Sequence, residues 1–212
     1  MNTRMVAVSR QIGTGGERIA RCVAQTLNFQ YFDEEVIGRA AEEAGVTIEA
    51  MNEADRAPTL RQRMLDALTA SRAVTAIGWF DPTPILVNPL YTSTHFRDLI
   101  HEVLRELANE GDAVVLGHGA QVVLKDRWDT VKVLISGSVS VRAIRLRESG
   151  AAADEPAAHR LIADSDRERA DYFERFHAVA WLHPANYDIC LNTDHLSVQQ
   201  AVDLICEAAR QR

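Results

Sequence analysis

The stretch Met5-Val6-Ala7-Val8-Ser9-Arg10-Gln11-Ile12-Gly13-Thr14-Gly15-Gly16-Glu17-Arg18-Ile19 decides how the rest of the chain is read. Residues Arg4 to Ser9 form a short apolar run that leads into the glycine cluster Gly13-Thr14-Gly15-Gly16. Beyond it, Ile19, Cys22, Val23 and Leu27 recur at helical spacing. Strand, glycine turn and helix follow one another here. Such a turn lets backbone N–H groups converge on an anion, and the helix dipole adds partial positive charge at the same point.

The same alternation continues outward. Phe29 to Phe32 reads as a second short strand, and Asp33-Glu34-Glu35 opens a helix, because carboxylates in a first turn suit its positive end. Thr47 to about Ile77 is helical in pattern but broken at Pro58, after which Leu60, Met64, Leu65 and Leu68 share an apolar face. Asp81 to Tyr91 carries Pro82, Pro84 and Pro89, which rule out a central strand and predict an ordered loop or flap. A helix from about Thr94 to Asn109 stops at Gly111, and a buried strand, Ala113 to Leu116, ends in Gly117-His118-Gly119. Val131 to Ile135 gives another strand, and the helix after it carries Arg142, Arg145 and Arg147 before a break near Gly150. Pro156 opens a long helix toward Trp181, Asp188 to Leu191 forms a last strand, and Ser197 caps the terminal helix. Short apolar strands with glycine at their C-terminal ends, alternating with helices, predict a parallel sheet covered on both faces.

At 212 residues, with 47% hydrophobic and 25% charged, the chain is long enough to bury one sizeable core without metals or disulfides. Cys22, Cys190 and Cys206 have neither an even count nor metal-ligand spacing and read as reduced thiols. With no long apolar span and no export pattern, the expectation is a soluble cytoplasmic protein. A net charge of −7 disfavours a general grip on nucleic acid and leaves a small anion, held in a local basic cleft, as the expected partner.

The strict phosphate-loop pattern requires a lysine and a hydroxyl residue after its last glycine, yet the only lysines, Lys125 and Lys132, lie far downstream. A dinucleotide fingerprint begins well at Gly13-Thr14-Gly15, with Asp33 at a suitable distance, but Arg18 stands where the third glycine is needed. A side chain there obstructs close packing of helix on strand.

Over nearly its whole length the chain resembles the cytidylate kinase-like family. Members open with a strand, Ser-Arg-(Gln/Glu), a Gly-Ser-Gly-Gly turn and a helix; here the match is Ser9-Arg10-Gln11-Ile12-Gly13-Thr14-Gly15-Gly16. Further matches are Tyr31-Phe32-Asp33, Val115-Leu116-Gly117-His118-Gly119-Ala120, Asp166 through Tyr172, and Tyr187-Asp188 through Asn192-Thr193. Each is weak alone, and five in order are specific. The resemblance implies a single α/β domain over 1–212: a three-layer P-loop NTPase-like fold with a central parallel sheet, a helical acceptor-binding insert near 47–92 and a lid near 142–160.

It also implies transfer of the terminal phosphoryl group of ATP, with Mg²⁺, to a nucleoside monophosphate such as CMP. That chemistry needs alignment and charge neutralisation more than a strong nucleophile. On this reading the amides of Gly13, Thr14, Gly15, Gly16 and Glu17 hold the donor phosphates, Arg10 or Arg18 stands in for the lysine, and Thr14 reaches an oxygen or the metal. Arg18, Arg142 and Arg145 are the expected catalytic cations, the last two belonging to a lid that closes on the phosphate. Asp33, His118, Asp166 and Arg169 are expected to bind the acceptor, and no protein metal cage is expected. Competing readings stand beside these: surface arginines, an N-cap for Asp33, an i,i+3 ion pair for Asp166 and Arg169. His118 departs from the family, which usually presents arginine there, and histidine carries little charge at neutral pH. His177, Trp181 and His183 read as structural. The alternative function is a nucleotide-binding sensor or scaffold that kept the fold and lost turnover, motivated by the absent lysine and by His118.

Overall fold

A computed structural model describes residues 3–46, 57–70 and 94–212. Five strands form one sheet: β1 Met5–Arg10, β2 Gln30–Phe32, β3 Ala113–Leu116, β4 Thr130–Ser136 and β5 Ile189–Asn192. Eight α-helices among the described residues surround it: α1 Gly16–Leu27, α2 Glu34–Glu43, α3 Ala57–Ala70, α4 Thr94–Glu110, α5 Ala120–Val123, α6 Val139–Glu148, α7 Glu155–His177 and α8 Val198–Gln211. The sheet order is β2-β3-β1-β4-β5, and every pairing is parallel.

Strand alternation divides the core. Met5 and Ala7 of β1 face one side, packed with Val115, Ile37, Met64, Leu68 and Leu104. Val6 and Val8 face the other, with Ile19, Val23, Val133, Ile135, Val202 and Ile205. Both faces of the central strand are therefore covered, as a parallel sheet requires. Burying each large aliphatic side chain, Ile19 and Ile205 among them, contributes about 1.5–3 kcal/mol before the entropy of ordering it.

Local chemistry sets the element ends. Asp33 accepts a 2.9 Å hydrogen bond from the Val36 amide at the start of α2, Asp154 accepts one from Ala157 at the start of α7, and Ser197 with Gln200 forms a reciprocal cap on α8. Helix α7 ends at His177, earlier than the expected reach toward Trp181, because Ala178 turns left-handed with φ 52°. The chain then doubles back and brings Trp181 to the C-terminal half of β1, where its indole N–H donates to Ser9 Oγ at 2.9 Å.

Of the insert expected over 47–92, residues 57–70 form α3, with Met64 and Leu68 buried as its apolar spacing requires. The remainder, including the three-proline segment, lies outside the described residues. Connections from β1 run to β2 on one side, while β4 lies on the other side of β1. The crevice at the carboxyl ends of β1, β3 and β4 is thus a topological switch point, where open parallel sheets place ligands.

Candidate functional site

The glycine turn leaves the C-terminal end of β1 inside this crevice. Gly13 and Gly15 both take positive φ, 78° and 75°. Gly15 is the N-cap of α1 and gives it no side-chain cap, so the first-turn amides of Gly16, Glu17 and Arg18 are left for another acceptor. Thr14 is buried and its hydroxyl donates to the Gln11 carbonyl at 2.7 Å, which braces the loop from within. Gly13 has no alternative: beyond its backbone angle, an added Cβ would lie 2.8 Å from the Arg142 carbonyl oxygen.

Arg142 enters the site differently from the expectation of a lid arginine facing the transferring phosphate. It is 1% exposed. Its Nε donates to the Ile12 carbonyl at 2.7 Å, and Nη1 and Nη2 form a two-pronged pair with Asp166, both at 2.7 Å. Gln11 completes the cluster, donating to Asp166 at 3.0 Å and accepting from the Gly137 amide at 3.4 Å. The loop is thereby bolted to α6, α7 and the end of β4. Asp166 consequently pairs with Arg142 rather than with Arg169, and the i,i+3 ion pair present on α7 is Asp164–Arg167 at 2.6 Å.

Arg145, one helical turn from Arg142, links the loop to the segment after β5. It donates to the Thr193 carbonyl at 2.6 Å and hydroxyl at 2.9 Å, and approaches the Thr14 carbonyl at 3.4 Å. Asp194 accepts from the Ser138 amide at 2.9 Å, and that hydrogen bond holds its carboxyl below the usual carboxylate range. Arg18 is exposed on the first turn of α1. Arg10 is largely buried and pairs with Glu17 at 2.8 Å.

The end of β3 has a different character. Gly117, His118 and Gly119 all take positive φ, 89°, 54° and 68°, which turns the chain sharply into α5. A Cβ on Gly119 would meet His177 Nε2 at 3.1 Å and Phe173 at 3.7 Å. His177 also lies 5.4 Å from the His101 ring. Burial, then His177, Arg97 and Arg105, push the His101 pKa down to about 4 against a small opposing effect of Asp98; burial and Arg97 lower His177 as well. Both imidazoles are neutral at pH 7. Phe173 stacks on Trp181 with planes 3° apart, and the Arg169 guanidinium stands 5.8 Å from the Trp181 ring. Tyr187 donates to the Trp181 carbonyl at 2.8 Å, and burial pushes its own pKa up to about 12. His177 and Trp181, read from the sequence as structural, make these packing contacts, and His183 caps the short turn at Ala185.

Asp33 does two things: it caps α2 and pairs with Arg21 at 3.0 Å. Arg21 also lies 4.7 Å over the Tyr31 ring, whose hydroxyl burial pushes up in pKa. The structure therefore gathers Arg10, Gly13, Thr14, Gly15, Gly16, Glu17, Arg142, Arg145 and Asp166 around one loop. Asp33 and His118 sit at the ends of β2 and β3. Sequence reasoning gave Gln11 no role of its own: it meets Asp166 155 positions away, a pairing with no local signal.

The nucleotide phosphates implied by the loop fit an uncapped helix start preceded by two left-handed glycines. The oxygen-bearing side chains of the loop that could approach Mg²⁺ accompanying those phosphates are Thr14 and Glu17.

The family model described as the cytidylate kinase-like family matches residues 5–195. A cytidylate kinase of Streptococcus gordonii is 26% identical over 231 aligned positions, covering 100% of this chain and 98% of its own. An uncharacterized protein from Eubacterium ventriosum superposes with TM-score 0.71 at 20% identity over 99% of both chains. The shikimate kinase of Bacteroides thetaiotaomicron does so with TM-score 0.52 at 15% identity over 97% of both. The fold is accordingly that of the P-loop kinases, a five-stranded parallel sheet between helices, and by its matching sequence the chain belongs to the cytidylate kinase-like family.

Proposed function

We propose that this protein is a nucleoside monophosphate kinase that uses ATP, with CMP as the first acceptor to be tried. The observation that carries the reading is the glycine loop at the end of β1, locked by Arg142 and Asp166 and opening on an uncapped helix start, in a chain matched to this family over residues 5–195. Bound ATP supplies the transferable phosphoryl group and Mg²⁺ offsets its charge. In this reading the amides of Gly13 to Glu17 bind the donor phosphates. Arg145, close to the Thr14 carbonyl, orients that loop against the segment after β5. Arg142 acts through Asp166 and Gln11 as a positioning residue, since all three of its nitrogens are already engaged by protein. Asp33, His118 and Arg169 serve the acceptor from the ends of β2 and β3 and from α7.

The test is ADP release with Mg²⁺ and ATP across a panel of nucleoside monophosphates at neutral pH. Acceptor-dependent ADP formation is expected, fastest with a pyrimidine monophosphate. A second reading, a nucleotide sensor without turnover, is favoured by the neutral imidazoles near the β3 turn, where a phosphate-binding cation would serve a kinase. Saturable ADP binding with no ADP release for any acceptor would select it.

A further inference from the structure

We infer that the phosphate-facing cation has changed places in this loop: Arg10, at the end of β1, does the work that a lysine at position 16 does in the ordinary pattern, and Gly16 is the notch that admits it. This rests on the nucleotide-binding reading above. The ordinary pattern is Gly-x-x-x-x-Gly-Lys-(Ser/Thr), its second glycine immediately before the helix. Gly15, the left-handed N-cap of α1, occupies that place. Counting from it, the first glycine of the pattern falls on Arg10, the lysine on Gly16 and the hydroxyl residue on Glu17. Glycine and cation are therefore exchanged between the two ends of the loop.

Geometry explains why both must change together. A Cβ on Gly16 would stand 2.8 Å from Arg10 Cβ and 3.4 Å from its Cδ. The first of these contacts is with the stem beside the backbone, which cannot swing away. Positions 10 and 16 compete for one volume, so a side chain at either requires glycine at the other. The Arg10 guanidinium pairs with Glu17 Oε1 at 2.8 Å, and Glu17 belongs to the first turn of α1, whose N-cap Gly15 supplies no side-chain cap. The Arg10 side chain is 13% exposed, so the charge is held at the loop rather than in bulk water. Arginine keeps its charge at any working pH and forks onto two phosphate oxygens. In this proposal phosphate oxygens take the place of the Glu17 carboxylate, which Arg10 Nη2 meets at 2.8 Å.

The experiment is calorimetric titration of ADP with Mg²⁺, without acceptor, into the full-length protein and its variants, each checked by thermal melting. Arg10→Met is expected to weaken ADP about 10- to 100-fold, the range for losing charge-assisted bonds to an anion, and Arg10→Lys to lose less. Gly16→Lys alone is expected to melt lower and bind poorly, whereas Arg10→Gly with Gly16→Lys, which restores the ordinary pattern, is expected to return to within about fivefold of wild type. Glu17→Gln is expected to tighten ADP a fewfold. Arg10→Met binding within twofold of wild type, or a double variant no better than Gly16→Lys alone, would overturn the exchange; weaker binding by Glu17→Gln would overturn the replacement of its carboxylate by phosphate oxygens. A wild type that binds no ADP would instead remove the nucleotide-binding reading on which the inference stands.

Discussion

The two sides of the crevice are built from opposite materials. On the β1 side, the loop is fixed by charge: Arg142 meets Asp166 through two 2.7 Å bonds, Gln11 joins them, and Arg145 spans to Thr193. On the β3 side, Gly119 is packed against Phe173 and His177, His101 stands next to His177, and the two imidazoles are held neutral by burial. One helix serves both, since α7 contributes Asp166 near its middle and Phe173 and His177 near its end. A charged clamp tolerates little displacement, because an unpaired buried charge is costly; a face of aromatic and neutral rings can be repacked. The first fixes the glycine loop through charge, and the second packs the β3 turn through rings.

Removing Arg142 should break this contrast most severely. Arg142→Ala leaves the Ile12 carbonyl without its donor and Asp166 with Gln11 as its remaining donor, and is expected to cost about 3 kcal/mol, read by denaturant melting, in the range for breaking an ion pair whose cation is buried. The Arg142→Met, Asp166→Leu double variant is expected to be more stable than Arg142→Ala; equal destabilisation would mean that the pair's charge is not what the loop depends on. Gly13→Ala comes next. It combines a φ of 78° with a Cβ 2.8 Å from the Arg142 carbonyl, and about 2 kcal/mol of lost stability, with weakened ADP binding, is expected.

The clamp also marks where the sequence ceased to be legible. The strands were readable from their apolar runs, β1 and β3 also from the glycines that follow them, and the caps at Asp33 and Ser197 from their residue type, because those signals act within a few positions. Arg142, Arg145 and Arg147 lie on one helix, and the sequence singled out the first two as equivalent lid cations. Their fates diverge, buried, half-buried and exposed, because a carboxylate 24 residues away claims the first and Thr193, 48 residues away, the second. The early end of α7 was hidden for a related reason: Ala178 adopts a left-handed cap without being glycine, and its return toward β1 is secured by Trp181 on Ser9, 172 positions apart.

The smallest expected effect sharpens the β3 side. An unfolded histidine takes its proton near pH 6.5, whereas His101 in the fold resists protonation down to about 4. Between those values the unfolded chain binds more protons, so stability falls as pH is lowered from about 6.5 toward 4. His177, lowered in the same direction, adds to the slope. His101→Gln should flatten the melting temperature against pH in that window without abolishing the slope, and an unchanged slope would show that His101 is not kept neutral by its surroundings.

The most direct test of the account is backbone amide exchange, measured with and without ADP and Mg²⁺. Protection concentrated on Gly13 to Arg18 is the expected result, since these amides are proposed to hold the donor phosphates. Saturable binding that leaves them unchanged and protects another segment would contradict it.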